Sequence, residues 1–421
     1  MITLIQLQPG ITLRCCQDSR FKQGLLSFQF LRPMQRQEAA ANALLPAVLL
    51  RGSQEYPDLR AITLGLDALY GAGIGAAVRR VGDCQASGLS MTFLEDRFAL
   101  PGEQVFAPMV DFFQSLLLHP LLQDGVFRED YVESEKRNLI AAMESRRNDK
   151  TVYAMDRLLQ NMCRQDSYGI PRLGEPAQVR EITPQSLTAH YQALLAESPV
   201  ELLYVGACSP EQAAARLSPL AEALGSRSGQ PPVQRPFQDA GGGQWQEAME
   251  ISQSRLCLAF ATPVTLGHTL AVPMRLMNLV FGGGMMNKLF QNLREKMSLC
   301  YDISSAYHAG KGILTVTAGI DAQNAELARR EILAQLEACC RGDISELELT
   351  GAKEAMCSSL RAAFDAPESM ESYYFSAALS SMDMDVPEYT QAILAANIGQ
   401  LSQAARTLRL HSEFLLKGEP K

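Results

Sequence analysis

The stretch Gly282-Gly-Gly-Met-Met-Asn-Lys-Leu-Phe-Gln-Asn-Leu-Arg-Glu-Lys-Met-Ser-Leu-Cys-Tyr301 carries the most information in this chain. Three consecutive glycines give a turn with little steric restriction. The turn feeds a helix over Asn287–Lys296, and the chain then turns back into a strand. Arg294 precedes Tyr301 by seven residues, so the fold-back between helix and strand brings the two side chains to one place. By residue type alone, Arg294 is an exposed helix arginine and Tyr301 a tyrosine at a sheet edge. Gly282, Gly283 and Gly284 have no following Lys-Ser/Thr and no G-x-G-x-x-G context, so they make no phosphate loop.

Working outward, the chain reads as two halves of similar build. Ser228–Gln244 holds three prolines and three consecutive glycines with almost no apolar periodicity, which is the composition of a linker. On one side, a helix containing Leu187 leads into an apolar strand ending at Gly206. On the other, a helix after Leu401 leads into a strand ending at Gly418. The offsets are 214 and 212 residues, close to half the chain. A second echo pairs Glu135–Leu158 with Ala352–Leu379, each a long amphipathic helix followed by a Tyr-bearing one. In the first half, Leu25–Leu31 and Ser87–Phe93 read as strands. Glu38–Leu50, Leu59–Leu69, Val105–Leu118 and Phe127–Arg146 carry helical spacing. Thr183 before Pro184 is a helix start. The expectation is an α+β fold of two homologous domains, each an antiparallel-rich sheet packed by helices on one face. Their ranges are 1–222 and 246–421, joined by a linker over 223–245.

Composition narrows the function. The 421 residues carry a formal net charge of −8, with short basic stretches only, which excludes a phosphate-tracking nucleic-acid surface. Met1–Gln8 alternates as a strand and lacks the basic and apolar regions of an export signal. No apolar run approaches the roughly 18 residues of a membrane span. The ten cysteines include no C-x-x-C pair, so they are expected to be free thiols of a cytoplasmic protein.

The five histidines, at 119, 190, 268, 308 and 411, have no two at helical ligand spacing. There is no H-E-x-x-H, no H-x-x-E-H and no G-x-S-x-G. Nothing in the chain makes a self-sufficient hydrolase.

The 282–301 stretch resembles the second-half signature of the insulinase family of metallopeptidases, which includes pitrilysin and the mitochondrial processing peptidase. There a glycine-rich turn precedes a helix ending in Leu-Arg-Glu-Lys, with a Tyr seven residues after the Arg. The resemblance implies that Arg294 and Tyr301 hold substrate backbone beside a zinc ion. A guanidinium offers several fixed donors and a phenol one more. It extends to Leu49-Leu-Arg-Gly-Ser53 and Leu69-Tyr-Gly71, which resemble the region after the family's inverted zinc motif. That alignment puts the expected H-x-x-E-H on Ala43-Leu-Leu-Pro-Ala47 and the third ligand on Ala142, with Glu133 and Glu144 nearby. Ligand and general-base positions are therefore alanine and proline, while the Arg/Tyr pair is kept. The chain is similar to the zinc-less partner of bacterial two-chain peptidases, in particular the member associated with elongation factor P modification. The resemblance implies no metal or cofactor on this chain, zinc on a partner subunit, and a peptide substrate. The alternative is a structural or assembly protein with the same fold.

Overall fold

The computed structural model describes residues 2–380 and 385–419. Met1 of the expected first strand, and residues 381–384 and 420–421 of the expected 246–421 range, lie outside the described residues. In chain order the first half runs β1 Ile2–Gln8, β2 Ile11–Gln17, β3 Gln23–Pro33, α1 Arg36–Leu49, α2 Leu59–Ala68, β4 Gly73–Val81 and β5 Cys84–Leu94. It continues through α3 Phe106–Leu118, the two-residue strands β6 Leu122–Gln123 and β7 Val126–Phe127, α4 Glu129–Asn148, α5 Lys150–Met162, α6 Pro176–Glu181, α7 Pro184–Glu197, β8 Val200–Gly206 and α8 Pro210–Leu224. The second half runs β9 Gly243–Met249, β10 Ser254–Ala261, α9 Ala271–Asn278, β11 Cys300–His308, β12 Ile313–Ile320, α10 Ala325–Arg341, α11 Glu346–Ala362, α12 Pro367–Leu379, α13 Val386–Ala395, α14 Ile398–Ala405 and β13 Arg409–Gly418.

The two sheets repeat one topology. The first has the order β1-β2-β8-β3-β5-β4 and the second β11-β12-β10-β13-β9. Without β1, and read from the opposite edge, they correspond strand for strand. In each, one parallel pair (β2 with β8, β9 with β13) joins a run of antiparallel pairs. Gly206 is the last paired residue of β8, opposite Gln17, and Gly418 is the last of β13, opposite Met249. The 212-residue echo thus marks equivalent register positions. No strand of either sheet crosses the segment 225–242, which has no regular structure.

The compact units are not contiguous in sequence. One comprises Met1–Glu144, Arg172–Val233 and Ala363–Leu379; the other comprises Ser145–Pro171, Gln234–Ala362 and Ser380–Lys421. They differ from the contiguous ranges expected above by two exchanged segments, carrying α12 into the first unit and α5 into the second. The strands explain the exchange. In the first unit Leu26, Phe28, Phe30, Leu202 and Tyr204 pack with α1, α3 and α7 on one face. The alternate residues Leu31, Leu203, Val205 and Cys16 need cover on the other face, and Met370, Phe375 and Leu379 of α12 provide it. β3 and β8 are buried on both faces along nearly their whole length, with Ser27, Gln29 and Glu201 as their buried polar positions. In the second unit Cys257, Ala259, Phe414 and Leu416 receive Ala154, Leu158 and Met162 of α5 in the same way. Burying each Leu, Phe or Met side chain among these contributes about 1.5–3 kcal/mol.

Caps set the helix starts. Thr183 Oγ1 accepts from Ser186 N at 3.1 Å and Ser186 Oγ accepts from Thr183 N at 2.9 Å, a capping box with Pro184 at the first turn. Asp149 accepts from Thr151 N and Val152 N, which ends α4 and starts α5.

Candidate functional site

The second unit brings the singled-out residues onto one irregular run of backbone. After α9 the chain enters a π-helical turn, Leu279–Gly283. A side chain at Gly282 would put its Cβ 2.7 Å from both Leu289 Cδ1 and Ser305 Oγ, and one at Gly284 would meet Leu279 O at 2.7 Å. None of the three glycines has a left-handed φ. They are required by close approach and not by flexibility, which corrects the flexible-turn expectation. Gly282 is buried, Gly283 exposed and Gly284 half-buried. Ser305 Oγ donates to Asn278 Oδ1 at 2.7 Å, tying this turn to β11.

The helix that follows is pinned at its start. Asn287 is buried; its Oδ1 accepts from Phe290 N at 2.7 Å and its Nδ2 donates to Gly284 O at 2.5 Å. Lys288 pairs with Glu348 of α11 at 3.0 Å. From Phe290 to Lys296 the helix is π, not the regular α-helix expected. Such wide turns are rare and recur at functional sites. Arg294 lies here, its guanidinium 4.9 Å from the Phe290 ring centroid and its side chain 45% exposed.

The return into β11 is also irregular. Ser298 has φ +52°, in the left-handed region. Cys300 pairs with Ile320 and Asp302 with Gly319, so Tyr301 is the extra residue of a β-bulge. A bulge on an edge strand re-aims one side chain out of the alternation, and β11 is an edge strand. Tyr301 is 53% exposed, and its hydroxyl donates to Asp321 Oδ1 at 3.3 Å. Asp302 beside it is held by Arg255 at 2.6 Å. Burial pushes the Cys300 thiol up to about 11; Asp302 adds to the rise and the Arg294 guanidinium opposes it. Asp321 carries no motif in the sequence, and only pairing with β11 identifies it.

The degenerate zinc positions lie in the first unit. Ala43 and Pro46 are buried in α1, Ala47 is half-buried there, and Ala142 is exposed on α4. Alanine and proline side chains have no donor atoms, so these four positions do not fit a zinc ion. The polar neighbours of α1 are engaged with one another. Asn42 Nδ2 donates to Gln85 Oε1 at 2.9 Å, and Asn42 Oδ1 lies 2.8 Å from His190 Nε2. Burial pushes the His190 imidazole below its ordinary range. Seven of the ten cysteines are buried. No helix among the described residues is long and apolar enough to cross a membrane.

The chain has similar counterparts among known proteins. Residues 181–356, which include Arg294 and Tyr301, match the family described as the Peptidase M16 inactive domain. The chain is 25% identical over 409 residues to the probable inactive metalloprotease YmfF of Bacillus subtilis, covering 97% of this chain and 96% of that one. Among solved structures it resembles a conserved protein from Enterococcus faecalis V583, at 28% identity and TM-score 0.92 over 100% of this chain and 99% of that one. A peptidase M16 inactive domain from Pseudomonas fluorescens, at 16% identity and TM-score 0.83 over 100% and 99%, shares the fold. Along nearly its whole length the chain is similar to insulinase-like proteins of the M16 peptidase family.

Proposed function

We propose that this chain is the non-catalytic subunit of a heterodimeric M16 peptidase. It holds the substrate peptide with Arg294 and Tyr301 while a zinc-bearing subunit cleaves it. The observation that carries the reading is the exposure and the local backbone of these two residues. Both are about half exposed, and both come from irregular backbone, a π-helix and a β-bulge. Irregular backbone has a free-energy cost and persists where the surrounding structure over-determines it, which is common at functional sites. Arg294 is a donor-only group suited to a peptide carbonyl and to the oxyanion that forms from it. The zinc chemistry belongs to the partner, since Ala43, Pro46, Ala47 and Ala142 cannot ligate.

The test is reconstitution with a zinc-bearing M16 subunit and a peptide cleaved by the pair. Arg294→Ala is expected to lower kcat/KM by roughly 10²–10³, the effect of losing one oxyanion donor. The melting temperature should stay unchanged, because the side chain is exposed. Unchanged cleavage by a folded Arg294→Ala, Tyr301→Phe double variant assigns the chain to a structural role instead.

A further inference from the structure

We propose that Asp321 is a positioning residue for this clamp. It turns the lone pairs of the Tyr301 hydroxyl outward to receive a substrate backbone N–H. The inference rests on the substrate-holding reading above and adds a division of labour within it. A phenol has one proton, and a carboxylate only accepts. The Tyr301 hydroxyl directs its proton to Asp321 Oδ1 at 3.3 Å, which leaves its oxygen lone pairs for a substrate N–H. The carboxylate is available for this because the short turn Ala322–Asn324 is capped without it: Asn324 N donates at 2.9 Å to the main-chain oxygen of Asp321. Arg294 can only donate. The pair therefore offers a donor at Arg294 and an acceptor at Tyr301, which matches the C=O and N–H of an extended peptide backbone. The ligand this selects is a peptide with an intact amide N–H at one particular position. Proline, an N-methyl amide or an ester there removes the hydrogen the phenol receives.

The experiment uses the full chain reconstituted with its zinc-bearing partner and an internally quenched peptide chosen from a mixed-sequence library for cleavage by the pair. Each backbone amide is replaced in turn by an ester. One position is expected to raise KM about tenfold, the effect of one hydrogen bond. Tyr301→Phe should abolish that difference between amide and ester. Asp321→Ala should match Tyr301→Phe, with no further loss in the double variant, and Asp321→Asn should restore cleavage because its carboxamide oxygen still accepts. Losses that multiply in the Asp321→Ala, Tyr301→Phe double variant, or an ester penalty that survives Tyr301→Phe, overturn the proposal while leaving the clamp intact. If Arg294→Ala is also without effect, the clamp reading itself fails. Asp321 and Tyr301 are both exposed, so the variants should fold, and a melting curve for each verifies it.

Discussion

Glu371 accepts a 2.6 Å hydrogen bond from Ser27 Oγ, joining residues 344 positions apart in the sequence. The other carboxylate oxygen pairs with Arg79 at 2.7 Å. Arg79 also lies over the Phe375 ring at 5.0 Å. Ser27 and Glu371 are essentially inaccessible, at 0% and 1% exposure. This is the polar pin that fixes the exchanged helix α12 on the sheet of the first unit.

Removing the carboxylate leaves a buried hydroxyl and a partly buried guanidinium without their partner. Glu371→Ala is expected to lower stability by about 2–4 kcal/mol. Glu371→Gln keeps an acceptor for Ser27 and should cost less. Urea unfolding measures both, and an alanine variant with the parent's midpoint contradicts the pin.

A second prediction concerns pH. Burial pushes the Glu201 carboxyl up to about 7, against the opposing pull of Arg14. Its unfolded value is 4.5. Between these values the folded chain holds a proton that the unfolded chain has released. The resulting stability is full below 4.5 and is lost as pH rises through 7. Glu201→Gln removes this dependence. The stability of the parent relative to the variant is therefore expected to fall by on the order of 1–3 kcal/mol between pH 5 and pH 8. Denaturant midpoints at pH 5, 6.5 and 8 check the sign; a difference that grows with pH would falsify the assignment.

Arg227 supplies a third. It is buried at 4% exposure, and the hydrogen bonds of its guanidinium go to main-chain carbonyls. It donates to Leu195 O at 2.6 Å, Ser198 O at 3.2 Å and Leu224 O at 3.3 Å, at the C-terminal ends of α7 and α8. Burial lowers its pKa to about 10, so it remains a cation at neutral pH and complements the negative ends of both helices. Arg227→Ala is expected to cost about 2–3 kcal/mol; Arg227→Lys keeps the positive charge and costs less, but not nothing, since one ammonium cannot span all these carbonyls. Thermal melts of the two variants against the parent decide it; equal losses would count against the geometric argument.

Much of this architecture is local and therefore legible in the sequence. The cap at Thr183, the apolar runs of β3 and β8, and the linker composition around Pro231 and Gly241 each act over a few residues, so the residues themselves specify them. The Gly206/Gly418 echo is legible because each glycine ends the same strand of the repeated topology, at the same register position. The Arg294/Tyr301 spacing is legible for a different reason: it lies within one short stretch of chain, 282–301. Other features depend on partners far away in the chain. An amphipathic helix such as α5 or α12 announces that it needs an apolar surface, but its pattern does not say whose. Which sheet it covers is settled by the unfilled face opposite. The bulge at Tyr301 is a property of pairing with β12, and Asp321 becomes relevant only when that pairing brings it to the phenol. Local propensity fixes which elements form. Pairing register and face complementarity, which are non-local, fix where their side chains point.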